Sequence, residues 1–374
     1  MKRIIIIGAG PGGLAAAARL RERASGQIEI VLIERDGNAE FLPGTIATLL
    51  GQRRATHWQQ PLALSEIRVV ADEAEALRGD GVRVAGQWID ADAVIAAPGL
   101  ALEIAALPAW AQGMAAWSPS SAAALDTREI RRGDTLLIAV AALPYRCPPA
   151  PYSVAMQFAA QAREAGKAIN VVVTTPEAAP LAAIGHGIPE FLVASCDAAG
   201  IEVRTDFAPD WAQSEAGRLV AQDGRVQAFD QAMIVPPHGR APLLRDLPGE
   251  GPLVTVGTGY ESELPHLFVV GDAAKTPLPR AAGAATAQGR TAADALLVRF
   301  GLAEAFTVHL PEASCYVGHG GGRFSRIRMS FPHGLPPQGK PQVDLDPPSD
   351  ELAEEFATAF TAWKAERNEG DAIR

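Results

Sequence analysis

The chain opens on Ile4-Ile5-Ile6-Ile7, an unbroken β-branched run that predicts a strand buried on both faces. Residues 14–23, rich in Ala and Arg, predict a helix, and residues 28–33 a second buried strand that ends at Glu34. The same alternation returns further on. Residues 135–140 read as a strand, 152–165 as a helix, 169–173 as a strand, 190–199 as a helix and 201–204 as a strand. A third apolar run, 267–270, precedes a small-residue helix over 281–297. Strands alternating with helices predict parallel sheets and an α/β fold. Near the end the pattern changes. Residues 323–331 alternate, with Ile327, Met329 and Phe331 on one face and Arg326 and Arg328 on the other. Leu352, Phe356, Phe360 and Trp363 follow at helical spacing, as one apolar face.

Composition narrows the class. The 374 residues suggest two or three domains, and 48% hydrophobic against 20% charged residues allows a large buried core. A net charge of −10 argues against general nucleic-acid affinity, which needs a basic surface. Three cysteines are too few for a disulfide scaffold. No apolar run reaches the ~18 residues of a membrane helix. No signal sequence precedes the first strand, so a cytoplasmic protein is expected.

Between the first strand and helix stands Gly8-Ala9-Gly10-Pro11-Gly12-Gly13, a GxGxxG pattern. Gly8 would permit the tight turn, Gly10 would admit a pyrophosphate, and Gly13 would let helix and strand pack closely. The helix N-terminus adds free N–H groups and partial positive charge. Glu34 lies where an acidic residue takes the ribose hydroxyls. Strand, glycine loop, helix, second strand and acid together predict a dinucleotide site.

Two further segments select FAD over NAD. Residues 92–99 form a buried run ending in Ala97-Pro98-Gly99, which resembles the Ala-Thr-Gly segment of two-dinucleotide-fold flavoproteins. Residues 267–274 end in Gly271-Asp272, and in those flavoproteins such an Asp holds the ribityl chain. Gln288 and Gly289 lie inside the helix that follows, and Lys275 and Arg280 lie near the expected flavin. The helix N-terminus after Arg280 would stabilise negative charge on the reduced ring.

The middle α/β stretch has no glycine fingerprint. Its first strand-to-helix connection, residues 141–152, contains prolines and no glycine, so a pyrophosphate would lack both room and N–H donors. It reads as a nicotinamide-binding fold without its nicotinamide site. A cysteine stands there instead. Cys147 follows Arg146 and precedes a helix, two features that favour thiolate. The bland alternative is a small buried apolar residue. Cys196 lies inside a predicted helix and reads as structural. Cys315 and His319 are two potential metal ligands, too few for a site, so no metal is assigned and His319 reads as a turn residue beside three glycines. His57, His186, His238 and His333 have no identifiable partner in the sequence.

These segments resemble sulfide:quinone oxidoreductases, and still more the flavin subunit of flavocytochrome c sulfide dehydrogenase. The resemblance rests on the glycine motif, on Tyr145-Arg146-Cys147-Pro148-Pro149-Ala150-Pro151-Tyr152, on residues 267–274 and on Ser314-Cys315-Tyr316. Ala116-Trp117 and Met233-Ile234-Val235-Pro236-Pro237 are weaker echoes. The resemblance implies two Rossmann-like folds: an FAD domain (1–100 and 250–305), a second nucleotide-fold domain (101–249) and a C-terminal interface domain (306–374). It implies Cys147 and Cys315 as a redox-active pair beside the flavin, with Gly8, Gly10, Gly13, Glu34, Gly99, Gly271 and Asp272 holding FAD. It also implies a small sulfur substrate, sulfide or a persulfide or thiol, and a quinone or redox-protein acceptor. Residues 40–45 have no cysteine where the flavocytochrome attaches its flavin, so FAD is expected to be noncovalent. No third cysteine stands near Trp117-Ser118, which favours a two-cysteine arrangement. A c-type cytochrome partner is not expected.

The C-terminal helix leaves two readings open: a terminal helix docked on the body, or a foot on a membrane or partner. Residues 343–374 carry nine acidic against three basic residues, which argues against anionic lipid. Two rivals to the sulfur reading are an NAD(P)H-dependent flavin reductase and a flavin-bound redox sensor that does not turn over.

Overall fold

The computed structural model describes residues 1–118, 125–182, 184–185, 187–336 and 339–368; His186 lies outside them. Strand β1 (Lys2–Ile7) leads through helix α1 (Pro11–Ala24) to β2 (Ile28–Glu34). β3 (Ile67–Ala71) and β4 (Ala93–Ala96) follow. The second α/β unit comprises β5 (Thr135–Val140), α2 (Ala150–Glu164), β6 (Asn170–Thr174), α3 (Ile188–Ala198), β7 (Ile201–Arg204) and β8 (Gln231–Val235). The chain then returns with β9 (Leu267–Val269) and α4 (Ala282–Arg299). It closes with β10 (Glu312–Gly320), β11 (Arg323–Ser330), β12 (Gln342–Ser349) and α5 (Glu351–Asn368).

Two parallel sheets result. The first runs β9-β4-β1-β2-β3 and the second β7-β6-β5-β8. In both, order reverses beside the first strand of the unit, so a crevice opens at the carboxyl ends of the strands, where ligands of open α/β sheets bind. Ile4, Ile5 and Ile6 are fully buried, as a strand covered on both faces requires. α1 lies against α4 on one face of the first sheet, tied by Arg19 to Asp294 at 2.8 and 3.1 Å. His309, unmentioned by the sequence patterns, completes this tie through Nε2 to Asp294 at 2.8 Å.

The third sheet, β10-β11-β12, is antiparallel. Ile327, Met329 and Phe331 are buried together, as the alternation requires. β12 was not foreseen, because its apolar positions are broken by acids and prolines. β10 lies along α2, where the Gly318 N–H donates to Ser153 Oγ at 2.8 Å. His319 is therefore part of a strand rather than a turn. Its Nε2 meets Ser325 Oγ at 2.9 Å, and burial lowers its pKa to about 4.

α5 docks on the body. Phe356, Phe360 and Trp363 surround Phe41 at ring separations of 5.9, 5.1 and 5.4 Å, and Phe360 also meets Trp58 at 4.7 Å. The apolar face of this helix thus has an internal partner. No helix among the described residues is long and apolar enough to cross a membrane.

Candidate active site

The glycine loop follows β1. Gly8 has φ +94°, and its N–H donates to Ile33 O at 2.9 Å. A Cβ on Gly13 would stand 1.9 Å from Gly8 O, so only glycine lets α1 sit this close to the turn. Gly10 is different: a Cβ there meets nothing within 4 Å. Its outer side is an open cradle. No side chain caps the N-terminus of α1, and no acidic residue lies in its first turn. The loop fits an anionic group such as a pyrophosphate. Glu34 ends β2, with Oε2 accepting the Ala9 N–H at 2.6 Å and Oε1 the Arg35 N–H at 3.0 Å. Burial pushes its carboxyl above the ordinary range.

The ends of β4 and β9 bring in Gly99 and Gly271-Asp272. Both glycines are left-handed, at φ +69° and +77°. The Gly271 N–H donates to Gln288 Oε1 at 2.7 Å, so buried Gln288 fixes the turn that presents Asp272. Burial raises the Asp272 carboxyl, while Arg280 and Arg146 pull it down. Arg146 in turn faces Glu40, whose carboxyl burial also raises. Among the described residues none of Glu40, Arg146, Asp272 and Arg280 comes within 4.0 Å of another as an ion pair. Half-buried charges spaced apart in this way leave room for polar atoms between them. Lys275, by contrast, pairs at the surface with Glu250 at 2.6 Å.

The loop after β5 carries Cys147 at φ 54°, left-handed for a residue with a side chain. Its N–H donates to Arg280 O at 3.5 Å, and its carbonyl accepts the Ala150 N–H at 2.9 Å. Trp117 Nε1 donates to Arg146 O at 3.0 Å, and an Arg146 Nη2 bond to Trp117 O returns the contact. Cys315, on β10, is the ionisable group that acts most strongly on the Cys147 thiol. Its side chain lines a small, wholly apolar cavity with Pro148, Pro149, Pro279 and Met329. Cys147 lies on the loop after β5, Cys315 within β10 and Asp272 just after β9, and both Cys315 and Asp272 act on the Cys147 thiol. Both cysteines are free thiols here.

The thiolate expectation for Cys147 needs correction. Cys147 is exposed as a residue, yet protein packs around its sulfur. The packing decides its titration: burial first, then Cys315, push the thiol up to about 12, and Arg146 offsets only part of this. Burial likewise pushes Cys315 up to about 11. Reduced Cys147 is therefore expected to react slowly with iodoacetamide near ~pH 8 and to quicken steadily above ~pH 10, because only the thiolate attacks. A rate already at its plateau near ~pH 8 would show that Arg146 outweighs burial.

Cys196 is fully buried in α3, within the core of the second unit. His238 is also buried, with Nδ1 on Pro236 O at 2.9 Å and its pKa lowered to about 4 by burial and Arg146. His57 packs edge-on to Trp58, and His333 is an exposed turn residue. Glu40, Glu177 and Gln288 were given no role by sequence reasoning. Glu177 had a usable signal: it follows β6 as Glu34 ends β2.

A family profile for an NAD(P)-binding Rossmann-like domain matches residues 6–39. Among solved structures, the sulfide:quinone oxidoreductase of Aquifex aeolicus superposes with a TM-score of 0.80 at 17% identity, covering 99% of this chain and 92% of that one. The chain has the fold of a sulfide:quinone oxidoreductase. The covalent putidaredoxin reductase–putidaredoxin complex matches with a TM-score of 0.62 at 18% identity, over 89% of this chain and 81% of that one. Reduced CoADR-RHD of Bacillus anthracis also gives 0.62, at 16% identity, over 96% and 74%. The α/β class with two Rossmann-like units is the architecture expected from the sequence.

Proposed function

We propose that the protein is an FAD-dependent oxidoreductase that oxidises sulfide, or a persulfide or thiol, through Cys147 and Cys315. What supports this reading is that Cys315 on β10, Arg146 on the loop after β5 and Asp272 just after β9 are the groups that act on the Cys147 thiol. FAD fits the residues present. Gly8, Gly10 and Gly13 would shape the pyrophosphate cradle, Glu34 would take the ribose, and Asp272 the ribityl hydroxyls, with Gly99 and Gly271 forming the turns beside them. Asp272 suits that task, being half-buried and accepting no side-chain or backbone hydrogen bond from another described residue. Bound noncovalently, FAD would supply a two-electron acceptor. The chain divides in this reading into an FAD domain (1–100 and 250–305), a second nucleotide-fold domain (101–249) and an interface domain (306–374).

In the sulfur half-reaction, hydrosulfide attacks one sulfur of a Cys147–Cys315 disulfide. One S–S bond breaks, a persulfide forms on the attacked cysteine, and the other leaves as a thiolate. Burial makes both thiolates costly, and Arg146 is the cation that offsets this at Cys147. Burial holds the two thiols at similar heights, about 12 and about 11, so neither sulfur is singled out as the leaving group; the apolar cavity beside Cys315 suits an uncharged sulfur species there. The electron pair lost when the thiolate and the persulfide join, with release of the persulfide proton, would be accepted by FAD held by these residues, and a quinone or redox protein would reoxidise it.

Steady-state assay with sulfide and a water-soluble quinone tests the reading. Quinone reduction that depends on sulfide, with no NADH consumption, is the expected result. NADH-dependent quinone reduction without sulfide would replace it by the NAD(P)H-reductase reading.

A further inference from the structure

In a nucleotide-binding βαβ unit an acidic residue after the second strand takes the ribose hydroxyls. In the second unit that place falls to Glu177, three residues beyond β6. Its hydroxyl partners belong to the protein itself. Glu177 Oε2 accepts from Tyr145 Oη at 3.1 Å, from Tyr152 Oη at 3.3 Å and from Thr175 Oγ1 at 3.1 Å. Oε1 accepts the Leu181 N–H at 3.1 Å. Tyr145, Tyr152 and Thr175 are buried, at 3%, 0% and 0% exposure.

Two of these partners flank Cys147. Tyr145 stands two residues before it, and its single hydroxyl proton is shared between Glu177 Oε2 and Pro148 O, the latter 3.0 Å away, closing a ring around the cysteine. Tyr152 lies in the first turn of α2, on the far side of the loop. A left-handed Cys persists only where its surroundings impose that conformation. This hydroxyl cluster supplies the constraint from behind, as Trp117 and Arg280 do from the front.

We propose that Glu177 is a positioning residue for Cys147: through Tyr145 and Tyr152 it braces the loop that presents the thiol, and the same tyrosine hydroxyls fill the place a nicotinamide nucleotide's ribose would need. The redox use of that thiol rests on the function proposed above; the brace does not. The second dinucleotide fold has thereby exchanged a ligand site for a support of the cysteine.

The test is alkylation of the reduced full-length protein by iodoacetamide, followed by peptide mass across a range of pH. In Glu177→Gln and Tyr145→Phe, Cys147 is expected to alkylate about tenfold faster near ~pH 8, the scale of one lost hydrogen bond to a charged group. Its pH profile should move to lower pH as the loop opens to water, with Cys196 unchanged. Thr175→Val, which keeps both tyrosines, should give a smaller change in the same direction. If Glu177→Gln does not fold, Tyr145→Phe and Thr175→Val carry the measurement. An unaltered Cys147 rate and profile in folded Tyr145→Phe overturns the proposal. Wild-type protein inert to sulfide, with the alkylation response intact, would remove the proposed function and leave the brace standing.

Discussion

Replacing either Cys147 or Cys315 by Ser should lower sulfide-dependent flavin reduction by at least ~10³-fold, the scale for removing one member of a covalent catalytic unit. The flavin should remain bound. A serine oxygen cannot form the disulfide that sulfide attacks, nor carry a persulfide. The groups assigned to FAD lie on other segments, at Gly8 to Gly13, Glu34, Gly99 and Gly271-Asp272, so the visible spectrum of each variant should match wild type. Both cysteines are needed because neither sulfur does the other's work: one receives the attack and one leaves. Cys196→Ser is the contrast. That side chain is fully buried in α3, inside the apolar core of the second unit. The hydroxyl should cost about 1–3 kcal/mol of stability while turnover per folded molecule stays unchanged. Stopped-flow reduction at equal flavin concentration measures all three. Full activity in either active-site variant would exclude the pair, and loss in Cys196→Ser would move the chemistry elsewhere.

The second large effect separates two glycines of one motif. Gly13→Ala places a Cβ 1.9 Å from Gly8 O and 3.4 Å from Ile6 Cγ2. Backbone cannot yield as a flexible side chain would, so α1 must lift from β1, at the severe end of single substitutions, ~4–5 kcal/mol. The expected product is poorly folded and colourless. Gly10→Ala meets nothing within 4 Å, and φ −72° is ordinary for alanine. Its fold should stay within ~0.5 kcal/mol of wild type. FAD should nevertheless be lost, because the methyl group fills the cradle that the pyrophosphate would enter. The ratio of flavin to protein absorbance, read beside a thermal melt, distinguishes the two. A Gly10→Ala protein that keeps its full flavin would mean the pyrophosphate lies elsewhere.

The first dinucleotide unit was legible because local chemistry and long-range packing agree there. Four isoleucines, a glycine loop and a terminal acid each have one sensible position in a parallel sheet, and the structure places them so. The ends of β5, β7 and α4 were readable to within two residues for similar reasons. What the sequence hid is what depends on partners distant along the chain. The thiol of Cys147 looked acidified from its neighbours Arg146 and α2, but the enclosure that outweighs them comes from other segments, Cys315 among its neighbours. His319 looked like a turn residue beside its glycines until β11 supplied Ser325. Glu177 has no motif of its own, and its meaning appears only when Tyr145 and Tyr152 are brought to it across 32 and 25 positions. The two readings of α5 were separated by Phe41 and Trp58, some 300 residues upstream.

The most direct test is an anaerobic visible spectrum of the purified protein, recorded before and after sulfide and, on a second sample, NADH. An oxidised flavin spectrum at the outset, bleaching by sulfide and no change with NADH are expected. Bleaching by NADH with none by sulfide would contradict the proposed function, since the tyrosine-filled second fold would then be binding a nicotinamide and the cysteine pair would not be the entry point for electrons.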